Sequence, residues 1–61
     1  MKRNEFIRWL MQNGCVLYRH GGRHDIYFNP ANGKKQPVPR YSEIDDDLVK
    51  HILKHLGLPG K

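Results

Sequence analysis

The sequence predicts a small α+β domain in which two helices flank three consecutive strands, in the order α-β-β-β-α. Near both ends of the chain, apolar residues recur three and four positions apart, which is the spacing of a helix face. The middle of the chain is rich in β-branched and aromatic residues, and glycine-containing turns divide it into short runs. Because the chain has 61 residues, we expect residues 1–61 to form a single domain.

The composition excludes several classes of protein. The single cysteine, Cys15, has no partner for an intramolecular disulfide. The longest apolar run, Cys15–Tyr18, is too short to span a membrane, and no secretory apolar segment follows Met1. We therefore expect a soluble cytoplasmic domain that does not contact a membrane. Its size leaves no room for a cofactor-binding domain, and no cofactor is expected.

Positive charge is concentrated in the middle of the chain. The whole sequence carries 11 Lys and Arg against 6 Asp and Glu, a net charge of +5. Residues 14–40 alone hold five of these cations and one acid, a net of +4. A basic face on a small domain attracts polyphosphate, chiefly nucleic acid, although such a charge also suits a surface that is merely soluble. The cations expected to bind phosphate are Arg19, Arg23, Lys34, Lys35 and Arg40.

The first helix is predicted over Asn4–Asn13, with its first residue as the N-cap. Phe6 and Leu10 begin an apolar stripe that Met11 widens. Gly14 is expected to end the helix in a left-handed conformation.

Three strands are expected next, and they are Cys15–His20, His24–Phe28 and Lys34–Pro39. Gly21-Gly22 predicts a tight hairpin turn, because glycine adopts the positive φ angles of such turns without strain. In a regular second strand, His24 lies on the face opposite Asp25. The prolines of the third strand lack a donor, which predicts an edge position.

The second helix is predicted from an apolar residue at every fourth position, starting at Ile44. Ser42–Asp45 resembles a capping box, and Gly57 is the expected end of the helix. With both helices on one face of a three-stranded antiparallel sheet, the layout matches the topology of double-stranded-RNA-binding domains. This likeness favours RNA as a ligand, but a fold alone does not define a function.

Histidine is the residue type best suited to carry chemistry here, because it titrates near neutral pH. His24, beside Arg23, could exchange a proton with RNA while cations stabilise charge on the phosphate. The alternative is a partly buried strand histidine that hydrogen-bonds a backbone carbonyl. His51 and His55 lie one helical turn apart but lack further ligands in nearby sequence, so we interpret them as a solvated face and expect no metal site.

Several short motifs, taken together, resemble a known family over nearly the whole chain. In order they are Asn13-Gly14-Cys15, Arg19–Tyr27, Asn29–Gly33, Val38-Pro39-Arg40, Ser42-Glu43-Ile44 and Leu56–Pro59. This series is similar to that of the HicA toxin family (YcfA-like mRNA interferases). The most specific match is Gly22-Arg23-His24, which corresponds to the Gly-x-His of the family at the start of the second strand.

The resemblance implies a bacterial toxin that cleaves mRNA with His24 as the catalytic residue and without a metal. It also implies neutralisation by a HicB antitoxin in a hetero-oligomeric complex. Tyr41 stands where the family often has a histidine, so the proton-transfer partner of His24 is left open, with Tyr41 and His20 as auxiliary candidates. We expect His20 to face His24 across the hairpin turn. The alternative function is a non-catalytic RNA-binding module that reads duplex shape.

Overall fold

The computed structural model describes residues 1–59 and confirms the predicted order of elements. The elements are α1 (Arg3–Gln12), β1 (Val16–His20), β2 (His24–Asn29), β3 (Lys34–Pro39) and α2 (Asp46–Leu56). The strands form an antiparallel sheet in the order β1-β2-β3, which places β3 at an edge, as its prolines predict. This open sheet with its two helices is a double-stranded-RNA-binding-domain-like fold.

Along the central strand β2, the two faces of the sheet differ in burial. Along β2, Asp25, Tyr27 and Asn29 are buried, whereas the alternate residues from His24 onward are exposed or half-buried. Burial with period two is the signature of a strand whose one face packs on a core. We call the face of Asp25 the helix-side face and the face of His24 the open face.

The hydrophobic core joins both helices to the helix-side face of the sheet. Its fully buried members are Phe6, Leu10, Cys15, Val38 and Leu56, and Tyr27, Ile44, Val49, Ile52 and Leu53 complete it.

Two details of the predicted core differ from the structure. Met11 is 58% exposed, so it does not widen the apolar stripe of α1. Cys15 lies immediately before β1 instead of opening it, because the strand begins at Val16. Burial raises the pKa of the Cys15 thiol and keeps it a packed apolar group.

The starts of both helices differ from the sequence prediction, because contacts distant in sequence determine them. The helix α1 begins at Arg3, with Lys2 in the N-cap position, and the Arg3 amide donates to the Ser42 carbonyl. Ser42–Asp45 does not form a capping box: Asp45 is the N-cap of α2 and makes no side-chain capping hydrogen bond. The Ile44 amide instead donates to the Met1 carbonyl, which holds this segment extended against the start of α1.

Both helices end beside the glycines that were expected to terminate them. Gly57 has a φ of 72° and is the left-handed C-cap of α2, while Gly14 follows α1 with a φ of 92°. No helix within residues 1–59 has the length and apolar character needed to span a lipid bilayer.

Candidate functional site

The loop between β1 and β2 positions His24 through a close approach of backbone atoms. Neither Gly21 nor Gly22 has a positive φ, so the predicted primed turn is wrong and a three-residue loop, Gly21–Arg23, joins the strands. The Gly21 amide donates to the His24 carbonyl at 2.7 Å. A Cβ atom on Gly21 would lie 2.6 Å from that same oxygen, so only glycine fits without a shift of the loop.

The ring of His24 is exposed on the open face of the sheet. Within residues 1–59 it accepts and donates no hydrogen bond, whereas His20 and His55 both have a partner. This geometry contradicts the alternative of a partly buried strand histidine that hydrogen-bonds a backbone carbonyl. The ring nitrogens of His24 are therefore open to an external group.

His24 lies at one side of a shallow groove of about 290 Å³ that crosses the edge strand β3 toward α2. Tyr41 and His51 also line this groove, together with Gln36, Pro37, Pro39, Leu48 and Ile52. A second depression, of about 640 Å³, opens beside the start of α1, but no histidine lines it and its cations are mixed with Glu5 and Glu43. Of these two depressions in the described residues, the smaller groove is the one that combines His24 with further groups able to exchange a proton.

Asp25, the residue after His24, is the centre of an ion-pair network. One carboxylate oxygen, Oδ2, accepts from Arg3 Nη2 at 2.8 Å. The other, Oδ1, accepts from Arg40 Nη2 at 2.8 Å, from Arg40 Nε at 3.1 Å and from His20 Nδ1 at 2.8 Å. The network joins α1, the end of β1, the start of β2 and the residue that follows β3.

The network favours the ionised form of Asp25. Hydrogen bonds from Arg40 and then from His20 hold the pKa of the Asp25 carboxyl well below its ordinary value of 3.8, against the opposing effect of burial. Arg40 also donates to the carbonyls of Gly21 and Gly22, at 2.9 Å and 3.4 Å. This guanidinium therefore braces the loop that precedes His24, while part of it stays accessible, since the side chain is 44% exposed.

His20 does not face His24, contrary to the sequence-based expectation. A β-bulge at Tyr18 shifts the register, so that Arg19 pairs with Ile26 and His20 pairs with Asp25. Cross-strand partners share a face, so His20 lies on the helix-side face while His24 lies on the open face. Because an ionised carboxylate only accepts, the His20 Nδ1 carries a proton, and Asp25 fixes the ring orientation.

The predicted phosphate-binding cations are divided between the two faces. The bulge places Arg19 on the open face, and Lys35, the cross-strand partner of Phe28, lies there as well. Lys34 pairs with Asn29 and so lies on the helix-side face. Arg23 is exposed in the hairpin loop. Two of the five cations thus share the open face with His24.

Two residues that the fold brings to the site, Asp25 and His51, were not predicted from the sequence. Asp25 is the only acid in residues 14–40, and this isolation within a basic segment was its available signal. His51 was interpreted as part of a solvated helix face, but it adjoins the apolar residue Ile52, and that position carries it to the edge of the groove. No group of three or more His, Cys, Asp or Glu side chains in the described part of the chain could hold a metal ion.

Fold and site together define a small basic α+β domain with an exposed histidine beside a groove at the edge of its sheet. The family model described as the HicA toxin of bacterial toxin–antitoxin systems matches residues 3–58. The match spans nearly the entire chain, and the chain belongs to the HicA toxin family. Searches of curated proteins and of solved structures gave no match.

Proposed function

We propose that this toxin is a metal-independent endoribonuclease that cleaves mRNA, with His24 as a general acid or base, and that a HicB antitoxin neutralises it. The observation that carries the proposal is the exposed ring of His24, which lacks an internal partner in the described residues of a chain of the HicA family. An imidazole that titrates near neutral pH and has no internal partner is open to exchange a proton with a bound substrate.

The proposed chemistry is an internal transfer within RNA. A base removes the proton of a ribose 2′-hydroxyl, the 2′ oxygen attacks the adjacent phosphorus, and the bond to the 5′ oxygen breaks. An acid protonates the departing 5′ oxygen, and nearby cations stabilise the charge that builds on the phosphate. Two proton-transfer groups are required, and His24 supplies one of them.

We propose that His51 supplies the second group, since it lines the groove from α2 while His24 lines it from β2. Tyr41 lines the same groove, but its phenol hydroxyl is better suited to donating a hydrogen bond to phosphate than to removing a proton. His20 lies on the other face and is bound to Asp25, so we assign it to holding the hairpin rather than to proton transfer.

The cations in this proposal have graded roles. Arg19 and Lys35 lie on the open face with His24 and contact phosphate of the bound strand. Arg23 is exposed in the loop that precedes His24 and is positioned for the same task. Arg40 contributes mainly by bracing that loop through Asp25 and the two glycine carbonyls.

The test is RNA degradation by purified wild-type protein and a His24→Ala variant. Losing one general acid or base lowers the rate about 10²–10⁴-fold, while circular dichroism should show a folded variant because the ring is exposed. His55→Ala is the matched control, since it removes an exposed histidine that does not line the groove. Cleavage by a folded His24→Ala variant at the wild-type rate would contradict the assignment.

The same assay tests whether cleavage requires a metal ion. Because the described residues offer no cluster of three metal ligands, we expect the wild-type rate to be unchanged in EDTA. Loss of cleavage in EDTA with recovery in Zn²⁺ or Mg²⁺ would show that a metal takes part. If the protein binds RNA but never cleaves it, the function is that of a non-catalytic RNA-binding module.

A further inference from the structure

An aromatic platform lies on the open face of the sheet, consisting of Tyr18 and Phe28 with the ammonium group of Lys35. The centroids of the two rings are 5.8 Å apart and their planes are inclined by 51°. Lys35 Nζ lies 4.4 Å from the Tyr18 centroid and 5.8 Å from that of Phe28. Tyr18 is nevertheless 51% exposed, so the fold holds this ring in place without covering it.

The β-bulge at Tyr18 assembles the platform. Without it, strict alternation would send Arg19 to the helix-side face, whereas the register shift keeps both Tyr18 and Arg19 on the open face. The strand thereby presents an exposed ring and a cation in adjacent positions.

The charge of the open face limits what can bind there. Asp25 is the only acid in residues 14–40, and it lies on the helix-side face, ion-paired to Arg3 and Arg40. The open face of the three strands therefore carries cations with no carboxylate among them, which favours an anionic ligand.

Aromatic rings beside cations on a sheet suit single-stranded nucleic acid, because bases stack on the rings while the cations contact the phosphates. The bases of a duplex are already stacked on one another and cannot reach such rings. We propose that Tyr18 stacks against a base of single-stranded RNA and that Lys35 and Arg19 contact the flanking phosphates. This inference rests on the proposed function, in which RNA is the substrate of the same face.

The platform and His24 can contact one strand of RNA. Phe28 and His24 lie on the same face of β2, four residues apart, which corresponds to about 13 Å along the strand. A base held on Tyr18 would therefore lie at a fixed distance from the bond that His24 cleaves. The platform then determines where along the RNA the cut falls. The flexible stem of Lys35 allows its ammonium to leave the ring for a phosphate when a base arrives.

The test compares Tyr18→Leu with Tyr18→Phe, each in a His24→Ala background that binds RNA without cutting it. Leucine keeps apolar contact with Phe28 but has no flat π-face, whereas phenylalanine keeps the ring. We expect Tyr18→Leu to weaken binding of a single-stranded RNA oligonucleotide on the order of 10-fold or more and Tyr18→Phe to restore it. Met11→Ala is the control, because it removes an exposed apolar side chain on α1 and should leave affinity unchanged.

A second measurement isolates stacking from packing. The parent protein here is the His24→Ala variant with Tyr18 intact. Replacing one base of the oligonucleotide with dihydrouridine, which is not planar, should weaken binding to the parent protein. The effect should occur only when the replaced base lies at one particular distance from the bond that wild type cleaves. The same replacement should have little further effect on Tyr18→Leu, because both changes remove one contact. Lys35→Ala should reduce the slope of log K against log salt by about 0.7, and more than Lys34→Ala does.

The outcomes separate this inference from the proposed function. One outcome is that wild type cleaves RNA and the His24→Ala parent binds it, but the Tyr18→Leu variant binds equally well. RNA then uses another surface, and only the inference fails. If Tyr18→Leu instead weakens only the antitoxin complex, the platform is a protein interface and the inference is overturned. If the parent protein binds no RNA and wild type cleaves none, the proposed function fails as well.

Discussion

Asp25 links the start of β2 to three other parts of the chain through one carboxylate, and its ionisation should be visible in the stability of the protein. Its pKa in the folded state lies below the ordinary value of 3.8, so the unfolded chain binds the proton more readily. The network therefore stabilises the fold fully at pH values above 3.8. Its contribution is lost as the pH falls below 3.8 toward the pKa of Asp25 in the folded state.

We expect the difference in unfolding free energy between wild type and Asp25→Asn to be constant near neutral pH and to shrink as the pH drops below about 4. Urea unfolding followed by circular dichroism at pH 7, 5, 4 and 3 measures it. Arg40→Gln removes the main partner of Asp25 and should flatten the wild-type pH dependence in the same way. A difference that stays the same at every pH would show that the network does not act through the charge of Asp25.

Gly21 and Gly22 offer a test of how strictly the loop positions His24. A methyl group on Gly21 would meet the His24 carbonyl at 2.6 Å, whereas one on Gly22 would meet nothing within 4 Å. We expect Gly21→Ala to destabilise the fold by about 1–3 kcal/mol, as forced overpacking does, and to lower RNA cleavage by the folded fraction. Gly22→Ala should stay within about 0.5 kcal/mol of wild type in the same urea titration. Equal stability and activity of the two variants would show that the close contact does not hold His24.

At the scale of the helices and strands, the sequence predicts the features that depend on residues close together in the chain. The alternation in β2 correctly puts His24 on the face opposite Asp25, and Gly57 correctly ends α2. The helix starts were predicted less well, because the Ser42 carbonyl that accepts from Arg3 is 39 positions away in the chain. Local capping patterns contain no information about such a partner.

In the candidate site too, the features set by neighbouring residues were predicted, and those set by contacts distant in sequence were not. His24 was proposed as a site residue from its local motif and stays a prediction. The bulge that turns His20 toward Asp25 depends on how β1 pairs with β2, which the residues of β1 alone do not encode. His51 is exposed, as the periodicity of α2 predicts, but its position beside the groove of His24 depends on the packing of α2 beside β3.

The helix α2 provides a matched pair of histidines for testing the second proton-transfer group. His51 and His55 are both exposed, lie one turn apart, and have ring centroids 4.1 Å from each other, but only His51 lines the groove with His24. We expect His51→Ala to lower the rate of RNA cleavage about 10²-fold or more and His55→Ala to leave it near wild type. The pH–rate profile of His51→Ala should also lose one limb. Cleavage by a folded His51→Ala variant at the wild-type rate would exclude His51 from proton transfer.

At the scale of the whole molecule, the helices occupy one side of the sheet and leave the other side to external partners. The helix-side face holds the core and the paired charges of Asp25, and the open face carries Arg19, Lys35 and the exposed ring of His24. A positive surface of this kind attracts RNA and acidic protein alike. A partner that neutralises the toxin by covering this face would therefore need an acidic contact surface.

We expect the antitoxin proposed above and RNA to compete for this surface. The His24→Ala variant, which we expect to bind RNA without cutting it, is loaded with a fluorescent single-stranded RNA, and the cognate antitoxin is added while anisotropy is followed. Displacement should be complete.

The antitoxin should associate faster at low salt, because complementary charge acts mainly on the rate of encounter. Replacing Arg19 and Lys35 together by alanine should slow that association, whereas replacing Lys50 and Lys54 on α2 removes the same charge elsewhere and should change it far less. If RNA and antitoxin bind the variant at the same time, neutralisation does not work by occlusion, and the open face serves only one of the two partners.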